Sequence, residues 1–267
     1  MDTSLLCDSK REVDLHCEVY GQGEPLVILH GLFGSLENWR TVSTRLASHF
    51  KVVALDQRNH GSSPHSFEMD YGVMARDVLE TMKRHAVRDG YVLGHSMGGK
   101  TAMQLALTHA EAVRKLIVVD MAPGRAAPRH DKMIAAMLVL NLSQFQTRKE
   151  MESALAPTVP DLSTRQFLLK NLQRTEQGGF HWKIGLKEIA KNYNRLLESV
   201  KAEKPFQKPT LFIRGEKSDF LRDSDSTLIQ HLFPRALLQT ISGAGHLVHF
   251  EKPDSFVTTV VGFLRDA

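Results

Sequence analysis

An α/β fold, with a mostly parallel central sheet covered by helices on both faces, is predicted by three features of the sequence. Short apolar runs alternate with amphipathic stretches of helical period, the pattern of a parallel sheet buried on both sides. His30, Asp56, Ser96 and Asp120 each stand at the carboxyl end of such a run, where open parallel sheets bind their ligands. Residues 124–204 break the pattern, carrying helical periods and no strand-like apolar run. They read as a helical cap inserted into a core made of residues 1–123 and 205–267.

The elements follow in order. Val13 to Tyr20 alternates apolar and polar residues, as a half-buried first strand does. Gly21 to Pro25 is a turn, and Leu26 to Leu29 is a fully apolar strand ending at His30-Gly31-Leu32-Phe33-Gly34. A helix is expected from Ser35 towards Ser48, with Leu36, Trp39, Val42 and Leu46 on one face. Val52 to Asp56 is the next strand, followed by the polar loop Gln57 to Ser63 and a helix from Met69 to His85. Tyr91 to Gly94 is a strand, Thr101 to His109 helical, and Lys115 to Asp120 a further strand. In the insertion, helices are expected over Met133–Leu142, Met151–Leu155, Thr164–Leu172 and Ile184–Leu197, punctuated by Pro157, Pro160 and Gly178-Gly179. Thr210–Arg214 and Leu237–Ile241 complete the sheet, with helices at Asp225–Leu232 and Pro253–Leu264.

Composition sets bounds on function. The 267 residues suffice for one large domain with an insertion, and 42% apolar with 24% charged residues is ordinary for a globular protein. No apolar run approaches the roughly 20 residues of a membrane span. The stretch Met1 to Cys17 carries Asp2, Asp8, Lys10, Arg11 and Glu12 rather than a signal-peptide core, so the cytoplasm is the expected compartment. Cys7 and Cys17 are too few for a disulfide framework or a metal site, and reduced thiols near the first strand are expected. The formal net charge of +4 is unevenly placed, because residues 124–204 hold 14 Lys and Arg against 8 Asp and Glu. That excess fits either a solvated basic helix surface or electrostatic steering of an anionic ligand. No nucleic-acid partner is expected, and oligomeric state is left open.

The chemistry centres on Gly94-His95-Ser96-Met97-Gly98-Gly99-Lys100-Thr101. A strand leading into Gly-x-Ser-x-Gly and out into a helix is the context of a nucleophile elbow. The same letters satisfy G-x-x-x-x-G-K-[ST], a phosphate-binding loop, or a glycine-rich helix start without chemistry. The phosphate loop leaves His30-Gly31, His246 and the insertion without a role, and it stands after several earlier strands. Lys100 is then expected one turn into the elbow helix, facing the surface or the cap.

A serine hydroxyl needs a base, and the base a third group to orient it. His246, in Ser242-Gly243-Ala244-Gly245-His246 after the last strand, suits the order Ser…Asp…His of such elbows. His249 lies three residues on, but no further ligand stands at metal spacing, so neither metal nor cofactor is expected. The acid is Asp120 or Asp219. Asp120 sits directly at a strand end, whereas Asp219 is one residue beyond the commoner position, taken here by Ser218, and a one-residue slip swings a side chain to the other face. Asp120 is favoured. Two backbone N–H donors are needed for an oxyanion: Met97 from the elbow, and Leu32 beyond Gly31, with Phe33 as pocket wall. Asp56 and Arg58 are read as ties for the loop beneath.

His30-Gly31-Leu32-Phe33-Gly34, Asp56 to Gly61, Gly94 to Lys100, Asp120-Met121-Ala122-Pro123 and Gly243 to His246 occur together and in this order. In these motifs the chain resembles the α/β-hydrolases, and among them the YbfF-type esterases, over nearly its whole length. The resemblance implies an acid within Asp120 to Pro123, with Ser218 at the family's non-acidic alternative position. It implies an α/β-hydrolase fold with a cap and a carboxylic-ester hydrolase acting on short to medium acyl esters. Acyl-CoA thioesters are a further class. A carbon–carbon bond hydrolase uses the same triad, and a ligand receptor with a vestigial triad is the alternative from another functional class.

Overall fold

The computed structural model describes residues 12–176 and 178–266; Cys7 and the first part of the N-terminal stretch discussed above lie outside them. The strands are β1 (Cys17–Tyr20), β2 (Pro25–Leu29), β3 (Lys51–Leu55), β4 (Gly90–His95) and β5 (Val113–Val119) in the first half. Helices α1 (Arg40–Leu46), α2 (Tyr71–Arg84) and α3 (Met97–Thr108) connect them. The segment that follows holds α4 (Asp131–Val139), α5 (Arg148–Leu155), α6 (Leu162–Leu169), the hairpin β6 (Leu172–Arg174) and β7 (Phe180–Trp182), and α7 (Leu186–Leu197). β8 (Thr210–Gly215), α8 (Ser226–Leu232), β9 (Ala236–Ile241), α9 (Val248–Glu251) and α10 (Pro253–Arg265) finish the chain.

Among the described residues seven strands form one sheet in the order β1-β3-β2-β4-β5-β8-β9, parallel throughout except for β1 at one edge. The strand period of two divides its side chains between two cores. Val27, Leu29, Val92, Val118 and Phe212 pack with α2 and α3 on one face. Leu26, Ile28, Leu93, Ile117 and Ile213 pack with α1 and α10 on the other. β2, β4 and β5 lie at the centre of the sheet, so the loops leaving their carboxyl ends are held from below by continuous strands.

Two elements depart from the sequence-based expectation for local reasons. The first strand is confined to Cys17–Tyr20, because N–H groups upstream are taken by side chains instead of a ladder: Val13 donates to Asp77 Oδ1 at 2.9 Å and His16 to Ser63 Oγ at 2.8 Å. The helix expected from Ser35 opens as a 3₁₀ turn over Leu36–Trp39 before α1. There the Leu36 N–H is drawn to Asp56 Oδ1 (2.8 Å) and the Ser35 N–H to Asn38 Oδ1 (2.8 Å), which fixes the tight start.

The inserted segment contains its four expected helices and one hairpin that was not anticipated. β6 and β7 have three residues each, too few to show alternation, and Gly178 and Gly179 at φ 85° and 79° make the turn between them. The helices gather Met137, Met151, Leu155, Leu168 and Ile189 into a third core, continuous with Phe33, Met69, Tyr71 and Met97 above the sheet. Lys100 joins this segment to the rest of the chain. Of the two expected placements, surface or cap, it takes the second: it is fully buried, its ammonium donating to the carbonyls of Gly124 (2.7 Å), Glu198 (2.6 Å) and Leu197 (3.3 Å). Those carbonyls stand at the two crossings into and out of the insertion, so one side chain ties both. Burial holds its pKa down to about 8. Among the described residues no helix is long and apolar enough to cross a membrane.

Candidate active site

Ser96 sits between β4 and α3 at φ 53°, a left-handed conformation costly for a residue with a side chain. The turn that imposes it is possible only with glycine on either side. A Cβ on Gly94 would stand 2.1 Å from the Gly98 carbonyl oxygen, and one on Gly98 2.4 Å from that of Leu29. Ser96 is the N-cap residue of α3, yet its hydroxyl makes no capping bond and is left free at the helix's positive end. Asp120 and Phe33 share the left-handed conformation, at φ 51° and 61°. Three of the five such non-glycine residues among those described thus surround one point.

Asp120, at the carboxyl end of β5, is fully buried. One carboxylate oxygen accepts from His246 Nδ1 at 2.7 Å and from the Ser218 hydroxyl, and the other from the Gly215 N–H at 3.2 Å. Gly215 ends β8 and Ser218 belongs to the turn after it, so the strand end and the turn serve Asp120 rather than supplying a carboxylate of their own. Asp219 points elsewhere. It receives the Arg129 guanidinium in two bonds of 2.6 and 2.8 Å and a third from Arg222 at 3.3 Å. The Arg129 guanidinium holds its pKa down at about 2.

The His246 ring is held by two neighbouring rings. Phe220 stacks on it, centroids 3.7 Å apart and planes within 15°, and the His95 ring lies 4.6 Å away on a tilt. His95 Nε2 also bonds the His246 carbonyl at 2.9 Å, and His249 stacks on Trp39 at 4.0 Å. No hydrogen bond joins Ser96 to His246 among those of the described residues, and both line one cavity of about 300 Å³. Catalytic hydrogen bonds are often long until substrate tightens the site. Leu32, Phe33, Met133, Phe167 and Leu168 supply apolar wall, so the insertion closes the cavity from above through α4 and α6. That volume is at the lower end of the range for small-molecule sites.

The loop after β2 is shaped for close approach. Gly31 passes His95 so tightly that a Cβ would stand 2.9 Å from its Nδ1. The Phe33 N–H is spent on His60 Nε2 at 3.2 Å, whereas the Leu32 N–H has no partner among the described residues. The Met97 N–H, at the first turn of α3, lacks an intrahelical acceptor. Asp56 and Arg58 tie the neighbouring loops. Asp56 accepts from the Leu36 and Ser62 N–H groups, and Arg58 forms a buried two-bond pair with Asp77 at 2.6 and 2.8 Å.

Four buried histidines, His30, His60, His95 and His249, and the half-buried His130 surround or underlie this site, and loss of solvent keeps them uncharged. It lowers His30 and His130 to about 4, His60 and His249 to about 3, and His95 well below its ordinary value. Unfolded, each takes up a proton near pH 6.5. The unfolded chain therefore binds more protons below that pH, and stability falls as pH drops from 6.5 towards 4. Each ring contributes a slope of up to about 1.4 kcal/mol per pH unit. The melting temperature is expected to be level above pH 7 and to fall steeply between pH 6.5 and 4.5. An unchanged melting temperature at pH 5 would show that these rings are already protonated in the folded chain.

Ser96, Asp120, His246, Leu32, Met97 and Phe33 are thus brought together, and Asp219 is not. Phe220, Arg129 and His95 were missed by sequence reasoning, since nothing in their spacing signals them. Residues 24–253 match the family described as alpha/beta hydrolase fold. The chain is 37% identical, over 96% of its length and 84% of the relative's, to a Xenopus tropicalis protein named sn-1-specific diacylglycerol lipase ABHD11. It is 33% identical to Esterase YbfF of Escherichia coli K12, covering 91% and 93% of the two chains. Among solved structures, one described as a marine microorganism esterase superposes with a TM-score of 0.92 at 41% identity, over 94% of this chain and 99% of that one. The chain belongs to the α/β-hydrolase fold family and is a hydrolase of the esterase and lipase kind.

Proposed function

We propose that this hydrolase cleaves carboxylic esters of short to medium acyl chain through an acyl-enzyme on Ser96, with His246 as base and Asp120 as its orienting acid. The observation that carries the reading is the 2.7 Å bond from His246 Nδ1 to a fully buried Asp120, beside a serine held at φ 53° with its hydroxyl free. His246 Nε2 takes the Ser96 proton as the hydroxyl attacks the acyl carbonyl. The imidazolium so formed is stabilised by Asp120, which remains ionised. The Met97 and Leu32 N–H groups receive the oxyanion. His246 then protonates the departing alcohol or thiol, and in the second half activates the water that releases the acid.

The apolar wall of Phe33, Met133, Phe167 and Leu168 suits an acyl chain, and the helical insertion acts as the cap that limits its length. Relatives bearing esterase and diacylglycerol lipase names agree with an ester as substrate. The basic cap extends the reading to thioesters with anionic leaving groups, acyl-CoA among them. A chain-length series of p-nitrophenyl esters, run beside the matching acyl-CoAs, tests the reading. Turnover is expected to peak at short or medium chains and fall beyond. A folded protein that turns over no ester, and takes up no fluorophosphonate at Ser96, would instead be a binding protein on a hydrolase fold.

A further inference from the structure

The tripeptide Ser218-Asp219-Phe220 after β8 has three separate engagements. Ser218 donates to Asp120, Phe220 stacks on His246, and Asp219 reaches outward to Arg129. Arg129 belongs to the inserted segment. Its own N–H and that of His130 both donate to the Tyr193 hydroxyl on α7, at 3.1 and 2.9 Å, so its backbone moves with the helices. From there its guanidinium lies over the Phe220 ring, 4.4 Å from the centroid, while its two forked bonds hold Asp219. Guanidinium, phenyl and imidazole therefore form one stack that begins on the insertion and ends on the candidate base.

We propose that Arg129 is a positioning residue for His246, acting through Phe220, so that seating the helical insertion on the core sets the plane of the base. The proposal rests on the reading of His246 as base. A ring held only by its Nδ1 bond to Asp120 is free to rotate about that bond. Phe220, stacked on the ring, and His95, tilted against it, restrict this freedom. Phe220 is only partly buried, and its outer face is covered by the guanidinium, which a ring's negative face attracts. The Arg129–Asp219 pair is itself partly exposed, its side chains 32% and 57% accessible, and such pairs add little to global stability. Its consequence is local. With the Asp219 carboxylate held at about 2, the clamp stays charged over the whole range in which a histidine base works.

The test is a cycle of Arg129→Gln, Phe220→Leu and the double variant, assayed on p-nitrophenyl butyrate with melting temperatures measured alongside. Arg129→Gln is expected to lower kcat about 10-fold with KM within about 2-fold of wild type, because the interaction is felt only when the base acts. The double variant is expected to be no slower than Phe220→Leu alone, since a residue acting through another adds nothing once that one is gone. Arg129→Lys, which keeps a cation over the ring, is expected to restore part of the rate. A change confined to KM, or losses that multiply in the double variant, would overturn the relay. His246→Ala separates the two possible failures. Activity surviving there removes His246 as base, whereas an inactive His246→Ala beside a fully active Arg129→Gln removes only the role of Arg129.

Discussion

Ser96→Ala is expected to lower kcat on a p-nitrophenyl ester by about five to six orders of magnitude, with little change in melting temperature. The size of the effect follows from the division of labour in a serine hydrolase. On the proposed mechanism, removing Ser96 as nucleophile leaves only the oxyanion donors and the binding cavity, which give a small residual acceleration over water. The small effect on stability follows from the fold. The Ser96 hydroxyl caps nothing in α3, and alanine keeps the same Cβ at the same φ of 53°. The backbone strain is therefore unchanged while the chemistry is lost. Titration with a p-nitrophenyl ester, followed at 405 nm in stopped flow, distinguishes an absent acylation from a slow deacylation. Wild-type rates in Ser96→Ala would place the reaction outside this elbow.

Asp120→Asn is expected to cost about 10⁴ in kcat, while Asp219→Asn costs no more than about 10-fold. Asp120 accepts from three donors at once: the His246 ring, the Ser218 hydroxyl and the Gly215 N–H. An asparagine there has one acceptor oxygen and an NH₂ group that must face one of those donors. If the NH₂ faces Nδ1, the imidazole is held in the tautomer that protonates Nε2, and Nε2 can no longer take the serine proton. Asp219 has no contact with His246 and is engaged by Arg129 and Arg222, so its neutral form still accepts from both guanidinium groups. Parallel kcat and KM measurements on the two variants read this directly. A more damaged Asp219→Asn would mean that the loop after β8 rearranges during turnover.

Much of the site is legible in the sequence because its chemistry is encoded locally. Gly94 and Gly98 flank Ser96 because no side chain fits within 2.4 Å of a carbonyl oxygen, and that steric demand leaves a fixed spacing. Asp120 and His246 each follow an apolar run directly, so the strand end itself marks them. The argument about strand ends favours Asp120 over Asp219, and it is Asp120 that bonds His246 Nδ1 in the structure. Lys100 shows where such reasoning stops. Its neighbours in sequence leave open whether a lysine on α3 faces the surface or the cap, and its ammonium takes the cap side, on carbonyls at residues 124, 197 and 198. No local pattern registers acceptors that far along the chain.

The same division separates the elements. The sheet, its flanking helices and the four helices of the insertion follow from periodicities of two and 3.6 that the sequence carries within windows of a dozen residues. The hairpin β6–β7 does not, since three-residue strands gain their definition from pairing with each other and from two glycines at positive φ. The Phe220–His246 stack, the Arg129–Asp219 pair and the engagement of Ser218 with Asp120 bring together residues between 26 and 98 positions apart, or turn on which way one loop faces. By itself the sequence determined the fold class, the nucleophile turn, and the strand ends that carry His246 and Asp120, because backbone sterics and burial act between near neighbours. Only the tertiary structure decided which side chains pack on His246, which amide on the Gly31 loop has no partner among the described residues, and how the insertion is tied down, because those depend on distances that exist only once the strands are side by side.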